Sequence, residues 1–248
     1  NPCVTERFRY DGTYDTSDDA PGAGKWLNAH GGDRSPLSWD SSDTPLTSST
    51  GQTKADPLDT WNYSDGGWCD DTFEGNEVMP LSSDKSALLN RVNSLQAYGS
   101  TAGALGTAWS WYVLSPNWSS VWTGNSTPVP YEDLKSKQAN GAPKGRKVAI
   151  LMTDGGYNTL RVNKDEDQQT VSNIAVAICN NMKAQGIEIY TVGFALDQLT
   201  STQRAIATAT LQACGSGIDH FYDSLSVPQL ESAFRDIAIR LSGLRPSQ

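Results

Sequence analysis

Hydrophobic positions follow no sustained period over residues 1–80, where Asp, Gly, Ser and Thr dominate and Trp26, Trp39, Trp61 and Trp68 stand well apart. Long structureless loops are uncommon in compact domains unless something ties them down. The aromatic residues and a Cys3–Cys69 bridge would do so, and the aromatic content speaks against a disordered tail. The segment therefore reads as an irregular, ordered insertion with a few short strands. A helical period begins after Pro80. Ser82, Ser83 and Asp84 offer N-caps, and Leu88, Leu89, Val92 and Leu95 share one face. A second helix is predicted from Ala102 to about Leu114, stopped by Ser115-Pro116, and residues 117–146 read as a polar loop.

From there strands and helices alternate. Val148–Thr153 is a short apolar run closed by turn residues, the pattern of a buried strand in a parallel sheet. A helix carrying Val171, Ile174, Ala175, Ile178 and Met182 follows, and Gly186 ends it. Ile187–Phe194 is the next strand. Thr200 and Gln203 form a capping box for a helix to about Leu211. Asp219–Tyr222 reads as a short strand. Ser226 and Gln229 form a second capping box, before a helix with Leu230, Phe234, Ile237, Leu241 and Leu244 on one face. This alternation predicts an α/β fold with a doubly wound, mostly parallel sheet over residues 81–248.

Charge sharpens the division. Formal net charge is −9, yet residues 1–84 hold 16 Asp/Glu against 5 Lys/Arg, a net of −11, while the rest of the chain is at +2. An acidic first third argues against general nucleic-acid binding and disfavours docking on anionic lipid. No apolar run approaches the roughly 18 residues needed to span a bilayer. Cys3, Cys69, Cys179 and Cys214 include no C-x-x-C pair, which argues against a zinc knuckle. Their even number leans towards an oxidising compartment, with Cys3–Cys69 and Cys179–Cys214 as the favoured pairs and four reduced thiols as the alternative.

Candidate chemistry centres on Asp154, at the carboxyl end of the Val148 strand, where ligands gather in open α/β sheets. Thr101 stands at the tip of Gly99-Ser100-Thr101, before the second helix. A carboxylate and a hydroxyl presented by two loops suit a hard divalent cation, Mg²⁺ first, with Mn²⁺ and Ca²⁺ as alternatives. The plain reading is that Asp154 caps a turn and Thr101 caps a helix. The Asp-rich stretch Asp11–Asp19 lacks the EF-hand pattern and reads as a solvated loop before a Ca²⁺ chelator. Trp109 and Trp111 point to different sides of their helix, so core packing is expected for at least one. His30 and His220 stand near no nucleophile motif, so no hydrolytic triad is indicated.

Taken together, Thr101, Thr153-Asp154-Gly155 and the block Gly99–Pro116 resemble the von Willebrand factor A (VWA) family, and within it the bacterial TadG-like proteins of Flp/Tad pilus loci. Asn1–Arg7 and the closing Leu244-Arg245 are similar to that group's entry and exit motifs. The resemblance implies a metal-ion-dependent adhesion site, with Thr101 and Asp154 on its second and third loops. It also implies a partner protein presenting a carboxylate, and a place in the periplasm, on the outer surface or outside the cell. The first loop, D-x-S-x-S, follows no apolar strand here. Asp40-Ser41-Ser42-Asp43-Thr44 fits its letters only loosely and reads as a decoy, since Arg34–Trp39 before it is no buried strand. The chain thus reads as the C-terminal part of a longer polypeptide with a VWA-type domain, its first strands cleaved, untraced or supplied by another chain and expected beside the Val148 strand or its neighbour. A non-enzymatic, cation-dependent partner-binding module in pilus assembly or adhesion is expected. The alternatives are a metal-dependent phosphohydrolase using Asp154 and a secreted, Trp-rich carbohydrate-binding protein. Against the phosphohydrolase, no phosphate loop or second catalytic carboxylate stands near Asp154 in sequence.

Overall fold

The computed structural model describes residues 6–9, 13–21, 25–26, 46–47, 53–54, 78–96, 101–139, 141, 144–160 and 167–242. The chain forms two compact units. One comprises Asn1–Ser100, Ala108–Pro130 and Leu160–Lys164; the other comprises Thr101–Thr107, Tyr131–Thr159 and Asp165–Gln248. Residues 81–100 and 108–130 thus belong to the same unit as residues 1–80.

In the first unit, strands β1 (Arg7–Phe8) and β2 (Lys25–Trp26) pair antiparallel, as do β3 (Leu46–Thr47) and β4 (Thr53–Lys54). Helix α1 (Lys85–Ser94) is capped by Asp84, which accepts from the backbone N–H of Ser86 and Ala87. Its periodic residues Leu88, Leu89, Val92 and Leu95 are nevertheless all exposed. Helix α2 (Gly103–Leu114), whose residues from Ala108 on belong to this unit, ends where Ser115 caps the next turn, accepting from the N–H of Asn117. Trp109, Trp111 and Tyr112 are buried, with Trp118 and Trp122 from the segment that follows. The Trp118 ring stacks on Tyr112 at a centroid distance of 4.1 Å, and Trp109 meets both rings edge-on.

The Asp11–Asp19 stretch is not the solvated loop its composition suggests. Asp11 lies outside the described residues, but Asp15 and Asp18 are buried. Asp15 Oδ2 pairs with Arg7 Nε at 2.8 Å, and Asp18 accepts from the Ser115 hydroxyl. Arg7 is itself buried and donates to the carbonyls of Ser17, Asp19 and Ala20. Its guanidinium lies over the Tyr112 and Trp118 rings, 5.1 and 5.9 Å from their centroids. A buried charge must be paired and hydrogen-bonded to be tolerated, and these contacts supply both. The acidic residues serve to hold this segment in place.

In the second unit, β5 (Val148–Thr153), β6 (Glu188–Phe194) and β7 (Phe221–Ser224) form a three-stranded parallel sheet in that order. Between β5 and β6 lies α4 (Gln168–Ala184), after the short α3 (Glu132–Lys135); α5 (Ser201–Cys214) precedes β7, and α6 (Val227–Ser242) follows it. The capping box of Thr200 and Gln203 is present, and Gly186 turns out of α4 at a φ of 87°. Two expectations shift. β7 starts two residues later than read, because Ile218–His220 forms a tight helical turn first. At the start of α6, Gln229 accepts from the N–H of Leu225.

Helices cover both faces of the sheet. Tyr190 and Val192 pack with Ile237, Leu230 and Leu241 of α6. On the other face, Thr191 donates to the Leu211 carbonyl of α5 at 2.8 Å. Cys179 of α4 and Cys214 of α5 form the expected disulfide, while Cys3 and Cys69 lie outside the described residues. Lys183, in the last turn of α4, donates to the Ala213 carbonyl near the end of α5, offsetting negative helix-end charge. β6 is buried through its middle, whereas β5 pairs on one side alone among the described residues and exposes Ile150 and Met152. No described helix is long and apolar enough to cross a membrane.

At the amino end of the sheet, Glu188 gathers an ionic cluster. Arg146 donates to its Oε2 from Nε and Nη2 at 2.9 and 2.6 Å. The Tyr190 hydroxyl and His220 Nε2 lie 2.7 and 3.2 Å from Oε1. Burial alone would raise the Glu188 pKa, but the hydrogen bonds from Tyr190, Arg146 and His220 together outweigh it and leave the pKa lowered. A depressed carboxylate stabilises the fold above its unfolded pKa, about 4.3 for Glu, and that contribution is lost as pH falls through the folded value. The melting temperature of the wild type is therefore expected to drop more between pH 6 and pH 3 than that of Glu188→Gln. Parallel profiles would refute this.

Candidate functional site

β5 places its chemistry by ending abruptly. The Thr153 side chain closes a tight turn, its hydroxyl accepting from the N–H of Gly155 at 3.1 Å and donating to the Gly155 carbonyl at 3.0 Å. This local bonding stops the strand and leaves Asp154 exposed at its carboxyl end. Gly155 follows with no side chain, and a Cβ built there would lie 3.2 Å from Thr101 Oγ1. The Thr101 hydroxyl therefore stands directly against the turn that carries Asp154. The two residues expected from sequence, 53 positions apart along the chain, are brought to one place within one unit.

Asn158 makes that convergence stable. Its side-chain Oδ1 accepts from the N–H of Thr101 at 3.3 Å, and its own N–H donates to the Thr101 carbonyl at 3.1 Å. The Thr159 hydroxyl donates to the same Oδ1 at 2.9 Å. Beneath this pairing lies Tyr157, buried against α2. A Cβ at Gly103 would fall 2.0–2.3 Å from three atoms of the Tyr157 ring, so glycine is what lets helix and ring approach. Burial, partly opposed by a hydrogen bond with Thr107, pushes the Tyr157 hydroxyl up to about 12, so it stays neutral. Sequence reasoning missed Gly103, Tyr157 and Asn158. The pair Gly155-Gly156 ahead of an aromatic and an Asn was the available signal, since adjacent glycines mark close backbone approach.

The donor set suits a hard cation. Thr101 supplies a neutral oxygen and Asp154 an anionic one, and the side-chain-free Gly155 leaves space beside the hydroxyl. Among the described residues no three His, Cys, Asp or Glu side chains form a metal-holding cluster. A cation here would be held by one carboxylate, one hydroxyl and water, an arrangement Mg²⁺ accepts readily because it dehydrates reluctantly. The Asp40–Thr44 stretch lies outside the described residues. Elsewhere the chemistry is structural: Trp109, Trp111, Trp118 and Trp122 are buried in packing. His220 contacts Glu188 within the ionic cluster. Comparison with protein-family models, with curated proteins and with solved structures finds no match for this chain.

Proposed function

We propose that this chain is a non-enzymatic, VWA-type partner-binding module of the bacterial cell envelope, similar to TadG-like proteins, whose doubly wound sheet presents a divalent cation to an acidic group on a partner protein. The observation that carries the reading is the approach of the Thr101 hydroxyl to the Asp154 turn at the carboxyl end of β5. Thr101 and Asp154 would hold the cation, which supplies an open coordination position for the partner's carboxylate. Burial of four Trp side chains removes them as a glycan platform. The expected result is that Mn²⁺ binds the wild-type chain and raises its melting temperature, and that Asp154→Ala loses both effects. Titration of free Mn²⁺ by electron paramagnetic resonance checks it; binding unaltered in Asp154→Ala would exclude this site.

Among the described residues β5 pairs on one side alone, and its six residues carry no charge and no proline, the kind of edge that natural sheets avoid exposing. Ile150 and Met152, 39% and 45% exposed, continue the apolar face that α6 covers over β6. A companion segment pairing with β5 would bury them and bring further oxygen ligands beside Asp154. Native mass spectrometry of the purified complex should release a second polypeptide on denaturation. A lone chain of 26.8 kDa would count against the companion.

A further inference from the structure

The geometry points to Gln168 as a positioning residue for the Asp154 turn, an inference that rests on the cation reading above. Gln168 is the first residue of α4, directly after its N-cap Asp167. Its side-chain amide lies flat against Gly156: a Cβ built there would fall 2.2 Å from Gln168 Nε2, 2.5 Å from Cδ and 3.0 Å from Oε1. The same Nε2 donates to the backbone carbonyl of Gln203, in the first turn of α5, at 3.0 Å. Gln203 is in turn fixed by its capping box with Thr200. One amide thus joins the residue two places after Asp154 to an element that the Cys179–Cys214 bridge ties to α4.

What this does follows from how metal sites behave. Groups that orient the ligands, without touching the metal, commonly change affinity by about 10- to 100-fold when removed. Thr153 braces the turn from the strand side and Asn158 braces Thr101. Gln168 supplies the third brace, on the side facing α5. A side chain at Gly156 would displace the amide; its φ is not in the left-handed region, so the effect is one of space.

Two substitutions test the idea from opposite sides. Gln168→Met keeps the bulk over Gly156 and removes the donor. Gly156→Ala keeps the donor and pushes the amide away. Each is expected to weaken Mn²⁺ binding by about tenfold while the melting temperature of the metal-free protein stays close to wild type. The double variant should be no weaker than the worse single one, because both remove the same contact. Binding lost in Asp154→Ala but unchanged in Gln168→Met would overturn the inference and leave the cation reading standing. A melting temperature that falls in step with affinity would reduce Gln168 to a structural residue. Absence of Mn²⁺ binding by the wild type would defeat the cation reading, and this inference with it.

Discussion

Replacing Trp118 with alanine should lower stability by about 3 to 5 kcal/mol, the range for large aromatic truncations in cores. Trp118 has no exposed surface. Its ring stacks on Tyr112 at 4.1 Å, and the guanidinium of Arg7 lies 5.9 Å from its centroid. Its indole N–H donates to the Asp19 carbonyl at 3.2 Å. Truncation leaves a void that the rigid neighbours cannot fill, and removes a cation–π partner from a buried arginine. The Asp15–Arg7 pair would remain, but in a looser setting. Urea denaturation checks the size of the effect, with Trp118→Phe as the graded control that keeps a stacked ring and loses the hydrogen bond. A loss under about 1 kcal/mol for the alanine variant, within the range of ordinary surface substitutions, would show that the aromatic group is not what holds residues 13–21 in place.

The second large effect is expected from the Cys179–Cys214 bridge. Its cysteines are 35 residues apart in sequence and both are buried. By the chain-entropy relation, closing a loop of that length stabilises the native state by about 3 to 4 kcal/mol, mainly by restricting the unfolded chain. The paired substitution Cys179→Ala with Cys214→Ala should cost that much. Wild-type protein unfolded and refolded under reductant should lose at least as much. Both samples are expected to unfold at lower denaturant concentration than the oxidised chain. Equal midpoints in all three would mean that α4 and α5 are held by packing alone.

These two predictions draw on unequal kinds of legibility. β5, α4 and α5 could be read from the chain because their signals are local: an apolar run, a stripe from Val171 to Met182, a capping box at Thr200 and Gln203. The pairing of Thr101 with Asp154 follows from the strand end and the two loops that carry them, and motif resemblance adds to it. What fixes it physically, the Asn158 bond to Thr101 across 57 positions, leaves no local trace. The Asp11–Asp19 stretch was misjudged for the same reason: Asp18 owes its burial to Ser115, 97 residues away. Composition could not reveal that. α1 shows the converse limit. Its spacing specified a helix correctly, yet spacing says nothing of whether an apolar stripe is covered, and Leu88, Leu89, Val92 and Leu95 are not. The strand read from Asp219 begins at Phe221, because Ile218–His220 forms a tight turn first and leaves Ile218 95% exposed.

The position of the bridge also has a mechanical meaning. β6, the middle strand of the sheet, lies wholly between Cys179 and Cys214, whose Cα atoms are 5.0 Å apart. Stretched taut, the 35 intervening steps would span about 120 Å at some 3.3–3.6 Å per residue. Traction on the two ends of the oxidised chain can never draw out that length. Cutting this bridge would lengthen the fully extended chain by about that 120 Å, and only then could the strand at the centre of the sheet be drawn out.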